Sequence, residues 1–271
     1  MVLTIQGAGL GLRSCHEDFV LAECPAIPWF EILTDNYLRQ APPAMAKLEK
    51  LRADYPLTFH GVGLSVGSAG PLSPEYLQQL MALQKRLNPV YISDHLSWSF
   101  HSDHYLNELL PLPFNESTLN HVVHHINHIQ EATQQCFLIE NVSSYLAFCD
   151  NEMPEWVFLN QVAKRSGCGI LLDINNVFVN ACNHHFSAVD YLMAITPTAV
   201  KEIHLAGHEY VNNTVIDTHS CAIIPSVWQL YELALQRFGP VPTLIEWDNN
   251  IPEFSVLAKE AQQAQHYLDQ L

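Results

Sequence analysis

The sequence has 271 residues, 48% of them hydrophobic, which is too much apolar material for a disordered chain and enough for one large core. Its formal net charge is -16, from 28 acidic and 12 basic residues. Nucleic acids are bound mainly by excess positive charge. We therefore expect no nucleic acid among the ligands of this chain.

Cysteine usage and the absence of apolar segments predict a cytoplasmic protein that does not associate with a membrane. The seven cysteines are odd in number, widely spaced and never arranged as C-x-x-C, which is typical of reduced thiols. The first residues carry neither the basic region nor the uninterrupted apolar region of a secretory signal. No apolar run approaches the ~18 residues that a membrane-spanning helix requires.

Short apolar segments alternate with helical patterns along the chain. Most of these segments are apolar at consecutive positions, which indicates strands buried on both faces of a parallel sheet. We predict strands at 8–12, 29–33, 57–60, 90–94, 136–140, 169–173, 200–205 and 243–247, and helices at 16–24, 36–53, 73–88, 115–134, 155–166, 187–195, 225–238 and 252–270. These alternations predict a closed (β/α)8 TIM barrel, and the absence of any linker predicts one domain over residues 1–271.

Four long stretches have no predicted element and follow the third, fourth, sixth and seventh strands. They cover residues 61–72, 95–114, 174–186 and 206–224. In a TIM barrel such segments form the loops at the C-terminal face, where active sites are built.

Metal-binding residue types stand at the ends of six consecutive predicted strands. They are His60, His95, Glu140, Asp173, His204 and Glu246. One such residue at a strand end usually hydrogen-bonds a loop. Six around one rim point towards a common axis, where uncompensated carboxylates would repel one another and be costly to desolvate. The pattern therefore predicts a cluster of two or three metal ions.

The donor types leave the metal open among zinc, iron and manganese, and the absence of cysteine from the rim argues against a structural zinc site. Further donors lie in the predicted loops. Asp217 and His219 alternate on one extended segment, and Asn175 and Asn176 follow Asp173 directly. They are sufficient for a third ion.

The order of these residues is similar to the trinuclear layout of endonuclease IV-type and xylose isomerase-like barrels. More specifically, the chain resembles the multinuclear non-heme iron-dependent oxidative enzymes, the methanobactin-type and bufferin-type peptide-maturation enzymes. The motifs that carry this resemblance are GLGLR at 9–13, FEI with DNY at 30–37, FHGVGLS at 59–65, SDHL at 93–96, IENV at 139–142, DINN at 173–176, HLAGH at 204–208 and IEWD at 245–248.

The resemblance implies a ligand set for each ion. One ion would be bound by His60, His95 and Glu140. A second would share Glu140 and add Asp173, His204 and Glu246. The third would take Asp217 and His219, with Asn176 where endonuclease-like relatives have histidine. Because an amide is a weaker ligand than imidazole, we expect the third ion to be labile. We expect Glu140, Asp173 and His204 to be catalytic.

The resemblance also implies the activity. It indicates an O2-dependent non-heme iron oxidoreductase that modifies cysteine residues of a ribosomally made precursor peptide. The cofactor would be two or three iron ions per chain, with zinc or manganese as substitutes. The implied partners are the cysteine-containing precursor peptide and a separate protein that recognises its leader.

Two other functions stay open on the sequence alone. The first is a divalent-metal hydrolase or isomerase on the same barrel, acting on a phosphodiester or a sugar; the net charge of -16 argues against the phosphodiester. The second is a metal-binding scaffold, which would need a rim closed to substrate. Long rim loops favour access instead.

Several other polar residues fall beside the rim or on a helix. We predict that His121, His124, His125 and His128 form a solvated histidine face on the helix at 115–134. Residues that could support the metal ligands or contact substrate are Arg13, Asn36, Asp94, His101, His104, Asn141, His208 and Asp248.

Overall fold

The computed structural model describes residues 4–39, 42–101 and 104–271. Within these ranges the strands are β1 (Ala8–Leu12), β2 (Phe30–Leu33), β3 (Leu57–Gly61), β4 (Ile92–His95), β5 (Trp98–His101), β6 (His104–Leu110), β7 (Phe137–Glu140), β8 (Gly169–Asp173), β9 (Val200–Leu205), β10 (Glu209–Val211), β11 (Thr214–Ile216) and β12 (Thr243–Ile245). The α-helices are α1 (Glu17–Glu23), α2 (Pro42–Asp54), α3 (Pro74–Leu87), α4 (Glu116–Thr133), α5 (Glu155–Ser166), α6 (Ile174–His184), α7 (Ala188–Ala194), α8 (Pro225–Phe238) and α9 (Phe254–Leu268).

Eight parallel strands close into a barrel in the order β1-β12-β9-β8-β7-β4-β3-β2. All residues of β1, β3 and β8 are buried, because the barrel interior covers one face of each strand and helices cover the other. The α3 helix shows how the outer layer is attached: it buries Leu77, Leu80, Leu83 and Leu87 at helical spacing. The predicted (β/α)8 barrel is confirmed.

The second predicted helix, at 36–53, is wrong at its beginning. A 3-10 turn occupies Thr34–Asn36, and α2 begins only at Pro42. Consecutive prolines at 42 and 43 explain the difference, because proline fits the first turn of a helix but removes the hydrogen bonds and the space that a helix interior needs. Residues 40 and 41 of this prediction lie outside the described ranges.

Three of the four stretches without a predicted element contain regular structure. The segment 174–186 is mostly helix α6, which the Asp173 side chain caps by accepting a hydrogen bond from the Asn176 backbone amide at 2.6 Å. The segments 95–114 and 206–224 contain the antiparallel hairpins β5–β6 and β10–β11. Both hairpins rise from the C-terminal ends of barrel strands, so they border the rim.

The histidines of α4 are only partly solvated, which corrects the predicted solvated face. His124 and His128 are exposed, but His125 is buried and its Nδ1 contacts the Val66 carbonyl oxygen at 2.8 Å. The Nε2 atom of His121 contacts the Ser68 carbonyl oxygen at 2.5 Å. These two rings therefore attach the segment after β3 to the outer helical layer.

No helix in the described part of the chain combines the length and apolarity required to cross a membrane.

Candidate metal centre

The barrel brings the six strand-end residues of the sequence prediction to one rim. Parallel pairing places His95 opposite Glu140 and Asp173 opposite His204. All six side chains are buried, with at most 7% of any residue exposed; they are His60, His95, Glu140, Asp173, His204 and Glu246. Their side chains form two groups of potential metal donors that share Glu140.

The first group is a compact triangle of two imidazoles and one carboxylate. His60 Nε2 lies 3.2 Å from His95 Nε2, and the Glu140 Oε2 atom lies 3.2 Å from each of them. Glu140 Oε2 is buried and has no hydrogen-bond partner among the described residues. Three donors bound to one ion at ~2.1 Å, with angles between about 90° and 109°, lie about 3.0–3.4 Å apart. The triangle has this spacing.

Hydrogen bonds orient both histidines of the triangle. The Ser93 hydroxyl donates to the Phe59 carbonyl oxygen at 3.1 Å, so it accepts from His60 Nδ1, which lies 2.8 Å away. His95 Nδ1 donates to the Gly61 carbonyl oxygen at 3.1 Å. Each ring thus places a proton on Nδ1 and turns Nε2 towards Glu140, the arrangement usual for metal-ligating histidines.

The second group combines Glu140 with Asp173, His204 and Glu246. His204 Nδ1 lies 3.1 Å from Glu246 Oε2 and 3.8 Å from Glu140 Oε1. Asp173 uses Oδ1 to cap α6, whereas its Oδ2 is buried without a hydrogen-bond partner in the described structure. One carboxylate thus starts a helix and presents its other oxygen to the group.

Of the donors predicted for a third ion, Asp217 and His219 lie in a loop, and Asn176 lies in the first turn of α6. Asp217 Oδ1 lies 2.8 Å from His219 Nε2, and Asp173 Oδ2 lies 4.0 Å from the same nitrogen. His219 Nε2 is buried and forms no aligned hydrogen bond among the described residues. The Oδ1 atom of Asn176 is buried and also lacks a partner among the described residues. Asn176, Asp217 and His219 line one cavity.

A glycine allows this loop to approach the rim. A Cβ atom at Gly207 would lie 2.1 Å from the Cys221 carbonyl oxygen, so any other residue here would displace the loop. The His219 backbone amide donates to the Gly207 carbonyl oxygen at 3.0 Å. His219 adopts a left-handed conformation with φ 45°, and its own carbonyl oxygen accepts from the Asp248 amide at 2.7 Å.

Other polar residues support the loop donors. His219 Nδ1 lies 3.1 Å from Asp248 Oδ2, and Asp248 in turn pairs with Arg13. On the opposite side, His208 Nδ1 donates to the Asn175 amide oxygen at 2.7 Å, and the Asn175 nitrogen donates to Asp217 Oδ1 at 2.8 Å. The chain of partners fixes the orientation of the Asn175 amide.

The remaining supporting residues of the sequence prediction behave differently. Asp94 accepts from the Leu64 and His95 backbone amides, at 2.9 and 2.7 Å, so it mainly holds the segment after β3. The Asn141 amide exchanges hydrogen bonds with the Asp173 backbone, at 2.9 and 3.0 Å. Asn36 lines the cavity, His104 is exposed on β6, and the His101 side chain lies outside the described structure.

Burial and charge shift the proton affinities of these donors. Burial raises the pKa of Glu140 to about 8 and that of Asp173 to about 7. Burial acts to lower the pKa of His95, but Glu140 and Asp94 outweigh it and raise this pKa to about 9. Without a bound cation the group therefore retains protons at neutral pH, and a divalent ion would displace them.

Sequence reasoning missed two buried carboxylates just below the rim. Glu31 on β2 and Glu202 on β9 are 2% and 0% exposed and, with His204, form another group of potential donors. Burial, followed by the charge of Glu31, raises the pKa of Glu202 well above its usual value. The spacing of Glu202 and His204 could have indicated that Glu202 lies near the candidate metal centre, since residues two apart on a strand share one face.

The rim opens into a cavity of about 810 Å³. His60, His95 and Glu246 line this cavity, together with the apolar or aromatic residues Leu106, Tyr145 and Ile251. Leu106 and Tyr145 are exposed, which is consistent with an open entrance. The candidate donors are thus accessible to a ligand larger than water.

Comparisons with known proteins identify the family. The sequence pattern of the family described as RiPP precursor modification enzyme MbnB/TglH/ChrH matches residues 7–269. The chain belongs to this family. The family implies an enzyme that modifies the precursor of a ribosomally synthesised and post-translationally modified peptide (RiPP). Among curated relatives, a UPF0276 protein of Acaryochloris marina (strain MBIC 11017) is 53% identical over 98% of this chain and 96% of its own.

Solved structures show the same barrel in distant proteins. An L-ribulose 3-epimerase matches with a TM-score of 0.65 and 14% identity, covering 98% of this chain and 95% of its own. Endonuclease IV from Thermus thermophilus matches with a TM-score of 0.63 and 13% identity, covering 98% and 100%. At such low identity these likenesses establish the xylose isomerase-like fold alone.

Proposed function

We propose that this protein is an O2-dependent non-heme iron oxidoreductase that oxidises cysteine residues of a RiPP precursor peptide. The observation that carries the proposal is the triangle of His60, His95 and Glu140, which faces an open cavity and shares Glu140 with a second donor group. Two histidines and one carboxylate on one face of an ion, with other positions open, are typical of non-heme Fe(II) oxygenases.

The donor chemistry fits divalent ions. Buried atoms without hydrogen-bond partners among the described residues include Glu140 Oε2, Asp173 Oδ2, His219 Nε2 and Asn176 Oδ1. Buried polar atoms of this kind normally have a partner, and together they would be costly to bury. Cations at the rim would satisfy them and balance the carboxylates, for which Arg13 supplies one positive charge at 3.7 Å from Glu246.

We assign the ions as follows. His60, His95 and Glu140 would hold one, and Glu140, Asp173, His204 and Glu246 a second. Asp217 and His219, supported by Asn176, would hold a third more weakly. Bound ferrous ions would supply the redox chemistry and Lewis acidity needed for dioxygen-dependent oxidation of a thiol.

The residues of the chain would position the substrate and control solvent. The cavity of about 810 Å³ has room for a cysteine with its neighbouring residues rather than a whole folded protein. Its apolar walls, including Leu106 and Leu109 from β6, would displace water as a peptide enters. Asp173 would keep Oδ1 in the α6 cap and offer only Oδ2 to the centre.

A separate partner protein that recognises the leader is part of the proposal, because the enzymes that the chain resembles work with one. The net charge of -16 would favour a basic face on the leader or the partner. Charge reversal on the peptide leader should therefore slow association at low ionic strength.

The test begins with elemental analysis of protein purified without oxygen. Dioxygen consumption and the peptide mass are then followed after adding a cysteine-containing precursor and its partner. We expect iron in the protein, dioxygen uptake and a mass change that disappears when the peptide cysteines are replaced by serine. Two or more zinc ions per chain, no iron and no response to ferrous ion would refute the proposal and favour a hydrolase or isomerase.

A further inference from the structure

A buried polar layer lies directly below the rim. On β2, Glu31 pairs with Thr58 of β3, two residues before His60, and on β9 Glu202 precedes His204 by two residues. Residues two apart on a strand point to the same side, so Glu31 and Glu202 lie one layer deeper in the barrel than the rim donors. Both are almost wholly buried.

The His204 ring bridges these layers. Its Nδ1 atom lies 3.1 Å from Glu246 Oε2 at the rim, whereas its Nε2 atom lies 3.2 Å from Glu31 Oε1 in the deeper layer. The Nε2 atom forms no aligned hydrogen bond among the described residues, so its contact with Glu31 is one of proximity and charge. The ring therefore has a carboxylate on each side. Only the Nδ1 side of the ring faces Glu140, so Nδ1 is the nitrogen that could bind a metal ion in the second donor group.

Glu31 is held in place for this contact. The Thr58 hydroxyl donates to Glu31 Oε2 at 3.0 Å, which leaves Oε1 for His204. Glu202 is the weaker neighbour, because its Oε1 atom lies 3.9 Å from Nε2 and neither of its carboxylate oxygens has a hydrogen-bond partner among the described residues. An apolar residue would fill the position of Glu31 at much lower desolvation cost, so the buried carboxylate calls for a specific role.

We propose that Glu31 is a positioning residue: its carboxylate, 3.2 Å from His204 Nε2, favours the ring proton on Nε2 and so leaves Nδ1, with its lone pair, to the metal centre. The inference rests on the proposed metal centre and adds a residue to it. A neutral imidazole carries one proton, so Nδ1 is available to a cation only when the proton is on Nε2. Carboxylates that accept from metal-ligating histidines orient the ring and strengthen the ligand.

The contrasting variants are Glu31→Gln and Glu202→Gln, which have the same size, layer and loss of charge. In Glu31→Gln, the amide nitrogen can donate to His204 Nε2, which would move the ring proton to Nδ1 and block that atom. We expect Glu31→Gln to weaken one class of ferrous ion sites by about 10–100-fold, whereas Glu202→Gln should change it little.

Metal-depleted protein is titrated with ferrous ion without oxygen, and bound iron is measured by elemental analysis and Mössbauer spectroscopy. In Glu31→Gln, one iron component should weaken and change its spectrum while the iron at His60, His95 and Glu140 remains. Thr58→Val, which removes the hydrogen bond to Glu31, should act in the same direction but less strongly. It provides the test if Glu31→Gln does not fold.

If Glu31→Gln and Glu202→Gln weakened ferrous ion binding equally, the inference would be overturned. The charge of Glu31 and Glu202 together, or a cation between them, would then matter rather than the contact of Glu31 with His204. Unchanged binding in both Glu31→Gln and Thr58→Val would also overturn it. The titration is repeated with zinc ion. A defect of Glu31→Gln with zinc in a protein that neither binds iron nor consumes dioxygen would refute the proposed function but retain the role of Glu31.

Discussion

The two sides of the candidate metal centre differ in what holds their donors. His60, His95 and Glu140 are residues of barrel strands, and strand pairing sets their spacing. Asp217 and His219 follow β11 on a loop held by contacts from separate segments, including the Tyr145 hydroxyl, which accepts from the Asp217 amide at 3.0 Å. We call the donors at the strand ends the strand side and the donors Asp217 and His219 the loop side. We infer that the strand side is preformed, whereas the loop side binds metal more weakly and is easier to perturb.

The largest effect should come from Glu140→Ala, because Glu140 belongs to both donor groups on the strand side. We expect loss of metal from both groups and no detectable activity, since each group loses a carboxylate that no neighbour replaces. Elemental analysis after anaerobic reconstitution measures the loss. Glu131→Ala, at an exposed position of α4, is the control. Wild-type metal content in Glu140→Ala would disprove the shared role of this carboxylate.

Asp217→Ala tests the loop side alone. Removing Asp217 takes away a proposed ligand and the acceptor of the Asn175 amide, so the affinity for the third ion should fall by about 10–100-fold. The ions at the strand side should stay. Tyr145→Phe, which removes only the hydrogen bond to the Asp217 amide, should have a smaller effect in the same titration. Loss of all ions in Asp217→Ala would show that the two sides do not bind independently.

Glu155 shows how a largely buried carboxylate behaves away from the histidines of the rim. Burial raises its pKa to about 7, while the Asn180 amide nitrogen donates to Oε2 at 3.2 Å. Because the folded pKa is raised, the stability contribution is fully present below the unfolded pKa of ~4.3 and is lost as the pH rises through about 7.

Glu155→Gln should therefore be more stable than the parent protein at pH ~8, by about 1–3 kcal/mol, and similar to it at pH ~5. Thermal melts at the two pH values check this, with an expected increase in Tm of about 2–8 °C at the higher pH. Glu131→Gln is the exposed control. An equal Tm difference at both pH values would contradict the assigned cause.

The smallest effect on metal binding is expected from Asn176→Ala. Its amide oxygen would be a weak ligand for the third ion, and its amide nitrogen donates to the Asn141 carbonyl oxygen at 3.0 Å. Loss of that hydrogen bond should cost about 1 kcal/mol of stability, which chemical denaturation measures. Metal analysis should show at most partial loss of the third ion. Loss of iron from the His60 group would contradict the separation of the two sides.

The sequence predicted the barrel and the strand-side donors because both depend on local patterns. Continuous apolar segments indicate parallel strands, and a polar residue that ends such a segment lies at the rim. The α6 helix was not predicted because Asp173 must end a strand and cap a helix at once. Glu31 was overlooked because a charged residue within a buried strand gains its meaning from His204, which is distant in sequence.

The position of the loop side depends on tertiary structure even more than that of the strand side. Alternation suggested that Asp217 and His219 act together, but not that the loop would reach the rim. The close approach of Gly207 to Cys221 and the left-handed conformation of His219 make this possible. Neither feature has a clear sequence pattern. The distances that define the triangle of His60, His95 and Glu140 likewise follow from the closure of the barrel.

The most direct measurement is anomalous diffraction at the iron absorption edge from crystals grown without oxygen. The account predicts one iron peak between His60, His95 and Glu140, a second beside Glu140, Asp173, His204 and Glu246, and a weaker one at Asp217 and His219. The account would be contradicted if protein that oxidises its peptide showed no iron peak between His60, His95 and Glu140. Iron bound elsewhere in the barrel would contradict it as well.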